Sequence, residues 1–287
     1  TVLYALTWRG ALGIVTAPID SSVEREFRHL PGLDGVRGIA VLLVVLFHYG
    51  HLWRPESGGL LPAGFVGVDV FFVLSGFLIT SLLVNERAQR GGASVRLFYI
   101  RRGLRLLPAL VGILAAHAIY SQTQHVPWRT ELQQIASVLA YVSNLAQTYW
   151  LPEMLRSGLS FTWSLAIEEQ FYLVWPAVLL FGVLRFAKNR TQILGVVFGL
   201  ALLSALIRLY IWHFGSGYPA AYMRPDARAD GLLIGAGCAF LWRWRMVPTK
   251  HLNKAALIAF IGIIGTALVI PSENAVMFSG GFTVVSV

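Results

Sequence analysis

The sequence predicts an all-α, polytopic transmembrane helix bundle, and three observations carry that prediction. Hydrophobic residues make up 56% of the 287-residue chain and charged residues only 13%, about half the share of a soluble globular domain. Mean hydropathy is +0.65. Apolar runs of about 20 residues, the length that crosses a hydrocarbon core, recur at 36–53, 64–84, 104–121, 163–184, 192–214, 229–242 and 255–271. With 131–151 and 275–287 as further candidates, about seven to nine membrane segments are expected.

Taken in order, residues 1–29 read as a poorly ordered lead-in. Arg9, Gly10, Gly13 and Pro18 interrupt its apolar character, and no signal-peptide cleavage region follows. Residues 30–287 read as one transmembrane domain, with its last helices expected to lie beyond Val287. Basic residues cluster at Arg25/Arg28, Arg87 to Arg105, Arg185/Lys188/Arg190 and Arg243/Arg245/Lys250/Lys254. Loops retained in the cytoplasm carry such clusters, so the amino end is placed inside. All four clusters fall inside only if 131–151 does not cross as one full span. Its Glu131, Gln133, Gln134, Asn144 and Gln147 suit a re-entrant or cavity-lining element. Trp53, Trp212 and Trp242 stand near span ends, where interfacial anchors sit. The excess of 23 Lys+Arg over 14 Asp+Glu fits cytoplasmic loops and anionic ligands, with no call for nucleic acid. One cysteine, Cys238, excludes an internal disulfide and a cysteine-based metal cluster.

Ionisable groups within apolar spans are costly and mark functional sites by default. Arg37 and His48 are eleven residues apart, so on one helix they share a face, about 20° apart around it and roughly 16 Å apart along it. A cation at the entrance and an imidazole deeper in suit an anionic donor and proton transfer; snorkelling and packing are the plain alternatives. Asp69 is a partner for His48 or a structural helix-end acid. Ser75 lies on the same span, and Gly64, Gly67 and Gly76 permit close helix approach. Arg102 and Arg105, three residues apart before Pro108, suit a phosphate as well as positive-inside topology. Ser164, Glu168 and Tyr172 follow i, i+4, i+8 spacing, with Glu169 about 100° around. Two adjacent carboxylates in an apolar helix point to a charged or imidazole partner. Arg224, Asp226, Arg228 and Asp230 open a further span and can pair with one another, Arg228 and Asp230 pointing inward.

These segments, in order, resemble the integral-membrane acyltransferase family 3. LDGVRGIAV leads to His48 in the family's Arg-x10-His pattern at Arg37 and His48. GFVGVDVFFVLSGFLIT, RRGLRLLPA with Arg102 and Arg105, FTWSLAIEEQFYLVWP and DARADGLLIGA follow. The resemblance implies a membrane enzyme, in a bacterial cytoplasmic (inner) membrane, that passes a short acyl group from cytoplasmic acyl-CoA (acetyl-CoA) to a hydroxyl of a carbohydrate or glycosylated acceptor. His48 would be general base or transient acyl carrier, helped by Glu168 or Glu169. Arg37, Arg102 and Arg105 would hold coenzyme A phosphates, with Asp69, Ser75, Ser164, Tyr172, Arg228 and Asp230 in support. No metal or bound cofactor is called for, and oligomeric state is left open. Buried His, Glu and Arg also occur in proton-coupled carriers, so a transporter or flippase for an anionic or lipid-linked substrate is the alternative.

Overall fold

The computed structural model describes residues 31–49, 64–90, 95–247, 250, 252–269 and 276–286. The lead-in predicted over 1–29, and Trp53, lie outside these residues. Every regular element described is helical: α1 (Pro31–Tyr49), α2 (Val66–Arg90), α3 (Val95–Thr123), α4 (Trp128–Leu139), α5 (Ser143–Tyr149), α6 (Thr162–Ala177), α7 (Leu184–Phe186), α8 (Arg190–Phe214), α9 (Tyr218–Met223), α10 (Pro225–Arg243), α11 (Leu252–Val269) and α12 (Phe282–Ser286). Among the described residues, four helical stretches, 66–89, 98–123, 162–186 and 190–214, are long and apolar enough to cross a membrane. The larger count of seven to nine goes beyond these four.

Local sequence explains where the helices start, break and bend. Asn189 caps α8 by accepting from the Gln192 amide at 2.8 Å, while the Gln192 side chain accepts from the Lys188 amide at 2.6 Å; the reciprocal pair satisfies donors that the first turn leaves free. Pro225 starts α10 at a position where its missing N–H costs nothing. In α6, Pro176 is followed by a π-helical stretch, Val178–Val183, the usual response to a lost helical hydrogen bond. Residues 131–151 are not a single span. They divide into α4 and α5 at Tyr141, whose φ is +53°, and a 3-10 turn, Pro152–Arg156, follows.

α10 is the central helix. It packs against α2 and α8, and glycines set the α2 crossing. A Cβ at Gly76 would collide with the backbone carbonyl of Leu232, and one at Gly235 with that of Val73. Gly67 of α2 and Gly64 in the turn before it do the same against Ala40 and Leu43 of α1. The backbones are thus in direct contact, as small-residue membrane interfaces allow. Gly235→Ala is therefore expected to force α2 and α10 apart and to cost about 1–3 kcal/mol, as overpacking does. A denaturant titration in detergent micelles checks this; an unchanged midpoint would contradict the packing.

The apolar interior has three parts. Phe65, Phe72, Trp163, Tyr222 and Phe282 belong to one, and Leu83, Trp175, Leu179, Val197 and Phe240 to a second. A third joins α3 to the α4–α5 region through Leu110, Leu114, Val138 and Met154. Apolar side chains on the outer faces, such as Leu104 and Ile119 of α3 and Leu202 and Phe214 of α8, are exposed, as lipid contact requires. Trp212, near the end of α8, stacks on Phe278, centroids 4.2 Å apart.

Candidate active site

The last turn of α1, the start of α2, α5, α6 and α9 line a partly open cavity of about 360 Å³. Aromatic rings dominate its walls, among them Phe47, Phe65, Trp163, Tyr218 and Tyr222, and the polar groups on it are few: His48, Gln147, Ser160, Ser164 and Glu168. An apolar pocket with a small number of convergent polar side chains is the usual form of a small-molecule site.

His48 reaches this cavity from α1. Its Nδ1 lies 2.8 Å from the carbonyl oxygen of Val44, one turn back. A carbonyl only accepts, so Nδ1 carries the proton, and in the neutral ring Nε2 holds the lone pair. That is the tautomer a general base or nucleophile needs. Glu168 enters from α6, and Ser164 lies on the same face one turn earlier, as the i, i+4 spacing predicts. The Glu168 carboxylate accepts from Ser75 Oγ of α2 at 2.8 Å.

The neighbouring carboxylate faces elsewhere. Glu169 accepts from Arg102 of α3, Nε lying 2.8 and 3.0 Å from its two oxygens. The Arg102 guanidinium also sits 3.5 Å above the ring of Tyr172, a cation–π contact. Adjacent residues on a helix diverge by about 100°, and here that angle assigns one carboxylate to the cavity and the other to the arginine. Tyr141, at the α4–α5 break outside the spanning helices, has its hydroxyl pKa raised by burial and then by the charge of Glu169. Arg105 is exposed. Arg37 is half-buried, 4.0 Å from Asp34, and its charge reaches Glu168.

Behind the cavity wall lies a buried lattice of four charges. Arg228 donates to Asp69 at 2.7 Å, the two side chains being 1% and 2% exposed. Arg208 donates to Asp230 at 2.8 Å, and Thr283 of α12 donates to Asp230 and accepts from Arg208, both at 2.6 Å. The Arg228 guanidinium also lies 4.0 Å over Phe282. Arg224 and Asp226 pair separately, at 2.6 Å and partly exposed. Asp226 raises the pKa of Arg224, so this cation stays charged.

A family model described as an acyltransferase domain matches residues 30–286. The chain belongs to the acyltransferase 3 family. Among curated relatives of this family member, the peptidoglycan O-acetyltransferase OatA of Listeria monocytogenes is 35% identical over 278 residues, covering 91% of this chain and 43% of the relative. A putative O-acetyltransferase of Staphylococcus aureus (strain COL) is 33% identical over 92% of this chain and 44% of its own length. The O-acetyltransferase OatA of Staphylococcus aureus (strain NCTC 8325) is 31% identical, over 90% and 43%. The chain thus spans less than half the length of these relatives. No solved structure matches it.

Within this acyltransferase fold the structure brings His48, Ser164 and Glu168 onto one cavity, with Ser75 bonded to Glu168. It chooses between the alternatives left open for two residues. Asp69 does not meet His48; its partner is Arg228, because α2 crosses α10 at that level. Glu169 is not the carboxylate on the His48 cavity, since Arg102 holds it. Arg228 and Asp230 do point inward, and Arg224 and Asp226 pair with each other. Gln147, read from the sequence as cavity-lining, does line the cavity. Arg208 was missed, although a lone arginine in the apolar run of α8 is the signal that finds it. Among the described residues no group of three His, Cys, Asp or Glu side chains is placed to hold a metal ion.

Proposed function

We propose that this chain is the membrane-embedded catalytic part of an O-acetyltransferase that passes an acetyl group from acetyl-CoA to a hydroxyl of a cell-wall carbohydrate. The observation that carries this reading is the shared cavity of His48 and Glu168, with His48 Nδ1 bonded to Val44. Aromatic walls offer flat apolar faces to the C–H side of a sugar ring. His48 Nε2 takes the proton of the acceptor hydroxyl as its oxygen attacks the thioester carbonyl carbon. The tetrahedral adduct then breaks its C–S bond, the imidazolium returns the proton to the departing thiolate, and the acetyl ester remains on the acceptor. Glu168 stabilises the imidazolium charge in an environment where opposite charges act strongly. Arg37 and Arg105 supply positive charge for the phosphates of coenzyme A. Arg102 shares its charge with Glu169 and fixes α3 against α6 on that side. The relatives' names as O-acetyltransferases support the chemistry, and one of them is named for peptidoglycan.

Thiol release by the full chain, purified in detergent with acetyl-CoA, is the direct test. Release that depends on added soluble peptidoglycan fragments, with ester appearing on them, is the expected result. Solute movement in proteoliposomes with no thiol release would replace this reading by the transporter.

A further inference from the structure

Two amide side chains of α5 are buried, and they are treated very differently. Asn144 Nδ2 donates to the Met223 carbonyl at 3.0 Å, and its Oδ1 accepts from Gln170 Nε2 at 2.9 Å. Gln170 also donates to the Tyr141 carbonyl at 2.7 Å, and Ser143 Oγ donates to the Thr162 carbonyl at 3.0 Å. These bonds fix α5 against α6 and α9. Gln147, three residues on from Asn144, is 1% exposed, lines the cavity with His48 and Glu168, and has no partner for either Nε2 or Oε1. Buried polar groups in folded proteins are nearly always satisfied, and a leucine would fill the same space without that cost.

We infer that Gln147 orients the acceptor: its amide waits for a pair of polar groups on the sugar, next to the hydroxyl that is acylated. Nε2 donates to one oxygen of the acceptor and Oε1 accepts from a neighbouring hydroxyl or amide N–H. A primary amide presents a donor and an acceptor side by side, which matches vicinal substituents on a ring and does not match an acyl chain. Because α5 is fixed by Asn144 and Ser143, the helix that carries the amide is in place before the acceptor arrives, which limits the ordering cost of binding. Gln147 is a binding and positioning residue in this scheme, and the assignment rests on the acyl-transfer reading above.

The test compares Gln147→Leu, Gln147→Asn and His48→Ala in the full chain, with acetyl-CoA as donor and muramidase-released peptidoglycan fragments as acceptor. Gln147→Leu should raise the KM for the fragments about tenfold, the size of one or two lost hydrogen bonds, with the KM for acetyl-CoA unchanged. Calorimetric binding of the fragments should weaken by the same factor, including in the His48→Ala background where turnover is strongly reduced. Gln147→Asn, which keeps the amide on a shorter arm, should fall between. Thermal stability of Gln147→Leu should equal or exceed that of the parent, since an unsatisfied amide has been removed. Unchanged fragment KM and affinity in both Gln147 variants would overturn the assignment. So would a parallel rise in both KM values with a lowered melting temperature, the mark of a structural role. Full acceptor-dependent release by His48→Ala would instead overturn the catalytic reading and leave the binding result to stand by itself.

Discussion

His48→Ala is expected to lower acceptor-dependent thiol release by about 10²–10⁴-fold, the contribution of a well-placed general base, while the protein still folds and inserts. The expectation follows from the bond between Nδ1 and the Val44 carbonyl, which fixes the ring and leaves Nε2 as the basic nitrogen. Removing the ring takes away few packing contacts, because His48 is only partly buried and faces a cavity. Melting temperature and detergent gel-filtration profile should therefore match those of the parent. Glu168→Gln should give a smaller loss, because the amide keeps the bond to Ser75 Oγ and removes only the charge opposite the imidazolium. Normal release by His48→Ala at full acceptor concentration would sink both the general-base and the acyl-carrier roles.

The second large effect is on stability. Asp69→Asn or Arg228→Met, each made alone, should destabilise the bundle by about 3–5 kcal/mol, because each leaves an uncompensated charge or half-satisfied partner at an almost dry position. Arg228 is held by Asp69 on one side and by the Phe282 ring on the other, so no water replaces the lost carboxylate. Replacing both residues by apolar side chains of similar volume should recover most of the loss, as buried pairs often do. A denaturant titration of the two single variants and the double variant measures this directly. A loss in the double variant equal to the sum of the two single losses would mean that the pair is not coupled. Activity should follow stability in this series, in contrast to His48→Ala.

The sequence was most informative where a polar residue interrupts an apolar run. The periodicity of α6 was enough to place Ser164 and Glu168 on one face, and the polar character of 131–151 was enough to deny it a single span. What it did not supply was pairing. Asp69, Glu168 and Glu169 each faced several possible cations, and the choice depends on which helices cross at which depth. That is set by close approach at Gly76 and Gly235, across 159 positions of chain, a relation with no local signature. Tyr141 is a second case, since a tyrosine is an uncommon residue at positive φ. Its break is stabilised by long-range bonds from Gln170 to the Tyr141 carbonyl and to Asn144, which no short window of sequence contains.

The charge lattice also has a consequence for how the protein is made. Asp69 and Arg228 are 159 positions apart, and Thr283, which completes the Arg208–Asp230 pair, comes later still. At a synthesis rate of about 5–20 residues per second, roughly 10–30 s separate the emergence of the carboxylate from that of its guanidinium. During that interval α2 has no matching cation from α10, and the insertion machinery must carry the cost. A neutral residue at position 69 would therefore enter the bilayer more easily and yet yield a weaker finished bundle, so yield in the membrane and stability after purification should move in opposite directions.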